Sequence, residues 1–135
     1  MKDVTAGFTS LASVLGGQKP TTTRTTDRPL TPEERATAQW LLRNSPEFLP
    51  QLDHVRVTGQ CSCGCPTLDL RVADNQPRVQ QSERTIAEAY GEIEGKLVRV
   101  ILLQSRGHLV RLEAWYPDAN EHPARLPDVK SLMSI

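Results

Sequence analysis

The three cysteines of this 135-residue chain all fall within five positions, in Gln60-Cys61-Ser62-Cys63-Gly64-Cys65-Pro66. Thiols so clustered can ligate a metal, exchange disulfides or simply pack, and three of them cannot form a fully paired disulfide framework. In an extended chain alternate side chains share a face, so all three sulfurs would point one way with the outer two roughly 13 Å apart at Cα. That is too far for one ion. Gly64 and Pro66 could fold the loop so that Cys63 and Cys65 reach a shared metal, completed by His54, His108 or His122. Structural zinc sites use wider cysteine spacing and usually two such pairs, and only half of that pattern is present. Redox chemistry would need a cation or a helix N-terminus to lower a thiol pKa, and neither is legible beside the loop. Packing in a tight hairpin loop is therefore the expectation for the cysteines. Zinc ligation by Cys61, Cys63, Cys65 and His54, or thiol redox chemistry at the same loop, are the alternatives.

Other chemistry is thin. Nucleophile elbows, phosphate-cradling glycine loops and dinucleotide fingerprints are absent. Glu88, Glu92 and Glu94 read as a solvated face, and His54 and His108 each stand at the start of a strand, where an exposed histidine needs no function. Trp115-Tyr116 ends a strand and could anchor a protein partner, although packing accounts for such a pair as well. Phe8, Leu11, Val14 and Leu15 fall at approximate helical spacing ahead of Gly16-Gly17, which would suit either a short docking peptide or an unstructured leader.

Sixteen basic and sixteen acidic residues leave no net charge, so no long-range field would gather nucleic acid or an anionic membrane. No stretch approaches the roughly 20 apolar residues of a membrane span, and the first residues lack a secretory pattern. The expectation is a cytoplasmic protein with no nucleic-acid or membrane partner.

The elements that must position the loop follow from periodicity. Residues 1–30 are rich in Thr, Ser and Gly and read as a flexible tail, with a single domain over 31–135. Leu30-Thr31-Pro32-Glu33-Glu34 is a capping box with proline in the first turn, starting a helix that buries Ala38, Leu41 and Leu42 before Asn44-Ser45-Pro46 stops it. Another start at Ser45-Pro46 should hold about one turn, because Pro50 removes an amide just past it. From His54 the period becomes two: Val55 and Val57 should share an inner face with Leu68, Leu70 and Val72 in a hairpin over 54–72. The run 85–93 fits either period; read as a strand, it makes 85–116 an antiparallel meander. The fold expected is α+β, an N-terminal helix packed on an antiparallel sheet of four to five strands.

The loop Cys61-Ser62-Cys63-Gly64-Cys65-Pro66-Thr67 entering an alternating strand, with Glu113-Ala114-Trp115-Tyr116 closing a later hairpin and Leu126-Pro127-Asp128 beyond it, resembles a group of small bacterial proteins. The resemblance spans roughly residues 31–130 and implies a compact bacterial domain without assigning an activity. The function expected from all of this is a small protein-interaction module without a cofactor, the alternative being a zinc or thiol-redox protein built on the cysteine loop.

Overall fold

Helix α1 spans Pro32–Leu41 in the computed structural model, which describes residues 23–118 and 121–134. Its start is a complete capping box. Thr31 Oγ1 accepts from the Glu34 amide at 3.2 Å, while Glu34 Oε1 accepts from the Thr31 amide at 2.9 Å. Arg28 adds a bidentate grip on the same carboxylate, at 2.9 and 3.0 Å. Burial pushes the Glu34 carboxyl up, but the hydrogen bonds from Arg28 and Thr31 outweigh it and hold the group below its ordinary value. A carboxylate whose folded pKa is depressed contributes stability above its unfolded pKa and loses it as pH falls through the folded one. Glu34→Gln should therefore flatten the acid limb of stability against pH between about pH 5 and 3. Parallel acid limbs for parent and variant in denaturant titrations would show that the pair contributes nothing.

After α1 the chain tightens into 3-10 turns over Leu42–Asn44 and Pro46–Asp53. The second of these runs past Pro50, where one turn was expected. A proline inside a 3-10 segment forfeits only its own donor, and the neighbouring bonds hold: the Phe48 amide donates to Ser45 O at 3.1 Å and the His54 amide to Gln51 O at 2.9 Å. Phe48, Gln51 and Leu52 are buried by this segment.

Seven strands follow the sheet order β1-β2-β3-β6-β5-β4-β7, every neighbouring pair antiparallel. They are β1 Thr23–Arg28, β2 Val55–Cys61, β3 Leu68–Val72, β4 Thr85–Ile93, β5 Lys96–Ser105, β6 His108–Trp115 and β7 Met133–Ser134. This corrects the expected helix on a four- to five-stranded α+β sheet: the antiparallel sheet dominates and the helical segments are short. The two additional strands are edges. Thr23–Arg28, within the segment expected to be tail, pairs with β2, and Met133–Ser134 pairs with Ala89 and Tyr90 of β4. Edge pairing draws on backbone groups, which every residue carries, so neither strand needs an apolar alternation to announce it. The ambiguous run 85–93 is strand, paired along its length with β5.

One face of the sheet carries the core. Val55, Val57, Leu68, Leu70, Val72, Val98, Val100, Leu102, Leu112 and Ala114 pack there with Ala38, Leu41, Leu42, Phe48 and Leu52. The other face is charged and partly exposed, crossed by ion pairs such as Arg99 with Glu88 at 2.6 Å and Arg111 with Glu113 at 3.0 Å. Such half-exposed pairs add little stability but keep an uncovered sheet face hydrophilic. Among the described residues no helix is long and apolar enough to cross a membrane.

Candidate metal centre

Strict alternation along β2 would carry Cys61 to the same face as Val55 and Val57. The register shows otherwise. Val57 opposes Leu70, but Gly59 opposes Asp69 and Gln60 opposes Leu68, so an extra residue is inserted between Val57 and Gly59. The bulge re-phases the strand and turns Cys61 to the other side, where it is buried at 6 % exposure yet lies outside the main core cluster. Strand β1 runs beside it, with Thr23 opposite Cys61.

Both stems of the cysteine loop are fixed. The Cys61 amide donates to Thr67 O at 3.4 Å, and Thr67 Oγ1 accepts from the Ala114 amide of β6 at 3.2 Å. Between the stems the Gly64 amide donates back to Cys61 O at 3.3 Å, closing a four-residue turn. Gly64 has φ +93°, and a Cβ placed there would meet nothing within 4 Å, so backbone conformation rather than space calls for glycine.

That turn decides the chemistry. It draws the Cα atoms of Cys61 and Cys63 to 5.3 Å, against about 6.6 Å for the same two-residue step in a strand. All three Sγ atoms lie within 4.8 Å of one another. The expected divergence of the thiols does not occur, because the loop is a tight turn and not an extended segment. Burial is uneven along the loop: Cys61 is buried, Cys63 is exposed and Cys65 half-buried. Thiolates around one ion with metal–sulfur bonds of about 2.3 Å stand about 3.8 Å apart in a tetrahedron, so this cluster is of a size to hold a metal. The Cys65 amide donates to Cys63 Sγ at 3.4 Å. As it stands, Cys61 and Cys63 are joined as a disulfide and Cys65 is a free thiol. In this bridged state the free Cys65 sulfur lies within 4.8 Å of both sulfurs of the disulfide.

The chain matches no protein-family model, no curated protein and no solved structure. Residue chemistry alone must identify the site.

The histidines do not complete it. His54 precedes β2 and Cys61 ends it, which separates them by about 23 Å at strand rise. His108 is buried at the far end of β6, its Nε2–H donating to Gln76 O at 3.0 Å. His122 is exposed, next to Glu121, whose carboxylate accepts from Lys96 Nζ at 2.7 Å, and it lies outside the sulfur group.

Trp115 and Tyr116 stand at the same end of the sheet as the cysteine loop, directly after the Ala114 that Thr67 holds. Their rings are already engaged. The Arg99 guanidinium sits 5.6 Å from the Trp115 ring centroid and Lys96 Nζ 5.3 Å from that of Tyr116. Phe8 and Leu11 lie outside the described residues. Sequence reasoning missed the role of Thr67, whose only local mark is its place after Pro66 in the loop motif.

Proposed function

We propose that the reduced loop binds a thiophilic metal ion such as zinc through Cys61, Cys63 and Cys65, and that metal handling is the function of the protein. The observation that carries this reading is the convergence of three sulfurs within 4.8 Å on a five-residue loop. Two of those side chains are not buried, and packing leaves their identity unexplained. Thiolates must be free of protons and of each other to ligate, so uptake requires reduction of the Cys61–Cys63 bridge.

Full-length protein purified under reductant should take up about one equivalent of metal per chain, lose it to a chelator and fail to take it up while oxidised. Binding to the folded state alone stabilises it by about 2.7 kcal/mol at a hundredfold excess over Kd, so chelation should lower the thermal midpoint. Reduced protein with three titratable thiols and no retained zinc or other thiophilic ion would overturn the reading.

The bridged pair supports thiol–disulfide exchange as a second reading. In it a partner dithiol becomes the disulfide, while Cys61 and Cys63 take up its two electrons and two protons. Reversible reduction with no metal uptake would favour that reaction. A protein-interaction role remains a third proposal. It is the least supported, because the Trp115 and Tyr116 rings already have cationic partners within the chain.

A further inference from the structure

We infer that the ion this loop selects is copper(I), held by the three thiolates alone; this rests on the metal-binding reading above. Cys61, Cys63 and Cys65 come from one tight turn and are all the cysteines the chain has. They can supply three adjacent positions around an ion and nothing on its opposite side. A structural zinc site closes a tetrahedron with a fourth protein ligand. Among the described residues the sulfur group includes no histidine or carboxylate. His54 is at the other end of β2, and His108 is committed to Gln76 O. Residues 1–22 contain neither cysteine nor histidine.

Copper(I) has the complementary requirement. It is a soft, closed-shell ion for which thiolates are the preferred donors, and three of them in a plane satisfy it. With metal–sulfur bonds of about 2.3 Å, a trigonal ion spaces its sulfurs by about 4 Å; Cys65 Sγ already lies within 4.8 Å of the other two, and reduction of the Cys61–Cys63 bridge lets those two part to admit the ion. The N–H donated by Cys65 to Cys63 Sγ offsets part of the charge that three thiolates leave on a monovalent ion. Access is one-sided: Cys61 is buried beside β1, and Cys63 is exposed, so an ion enters and leaves past Cys63.

The test titrates reduced, oxygen-free full-length protein with copper(I) against bicinchoninate, and separately with zinc(II) against a chromogenic indicator. Expected are one copper(I) per chain and an affinity about a thousandfold or more above that for zinc. Cys63→Ser and Cys65→Ser should each weaken copper(I) by about a hundredfold, with unchanged far-ultraviolet circular dichroism separating ligand loss from misfolding. His122→Ala should leave the affinity as it was. Zinc bound as tightly as copper(I), or a tenfold loss of either ion in His122→Ala, would overturn the copper assignment while the metal-binding reading stands. Failure of both ions to bind the reduced protein would overturn both.

Discussion

Phe48→Ala is expected to lower the unfolding free energy by about 3 to 5 kcal/mol, read as a fall in the denaturant midpoint at constant slope. Phe48 has no exposed surface and heads the fully buried side chains by size, set among Ala38, Leu41, Leu42 and Leu52 in the one core. The cost of such a truncation depends on whether the surroundings can collapse into the cavity. Here they are pinned. Gln51 Nε2 donates to Gly107 O at 2.8 Å and Gln51 Oε1 accepts from the Leu109 amide at 3.0 Å, tying the 3-10 segment to the β5–β6 hairpin. Arg35 ties its end to α1 by donating to Leu52 O at 3.0 Å. A loss under about 1 kcal/mol would mean that the segment shifts to refill the space in spite of these bonds.

Gly107→Ala should be nearly as damaging, at about 3 kcal/mol or more. Two terms add. At φ +83° an alanine is in the left-handed region, which costs roughly 1 to 2 kcal/mol. Its Cβ would also stand 2.4 Å from Val79 O and 2.7 Å from Val79 N, backbone atoms that cannot swing aside. Relief requires displacing residues 74–84, which lie over this hairpin. That movement threatens the Val79 amide bond to Gly107 O at 3.1 Å and the bonds from Gln104 Nε2 to Gln81 O and Glu83 O at 3.2 and 2.5 Å. Each buried polar group left unpaired costs about 1 to 3 kcal/mol. Limited proteolysis should then cut the variant first within 74–84. Gly64→Ala isolates the conformational term, because its Cβ would meet nothing, and should cost only about 1 to 2 kcal/mol. Equal losses at the two glycines would show that the clash at Val79 is relieved without breaking anything.

The metal reading and the disulfide reading share one structural cause, the turn that closes Cys61 to Gly64. Its stems do not depend on the sulfurs: they are held by the β2–β3 ladder and by Thr67 against Ala114. Reduction of the bridge should therefore free the thiols without releasing the loop, which is what a site that binds and gives up an ion requires.

Some of this protein is written into short stretches of sequence. The capping box at Thr31 and Glu34 and the inner face of Val55, Val57, Leu68, Leu70 and Val72 are local. Each depends on residues a few positions apart, and burial imposes the period directly on side-chain types. The cysteine cluster is equally plain as a cluster. What it does in space is not, because the turn closed from the Gly64 amide to Cys61 O brings together thiols that an extended chain would hold apart, and a bulge two residues upstream decides which way Cys61 faces. The edge strands were hidden for a different reason. Thr23–Arg28 and Met133–Ser134 join the sheet through main-chain groups, and only the partner strands β2 and β4, brought alongside by the fold, make those segments strands. His54 fails as a ligand on the same principle: spacing in sequence says that it is seven residues from Cys61, but only the extended course of β2 places the two at opposite ends.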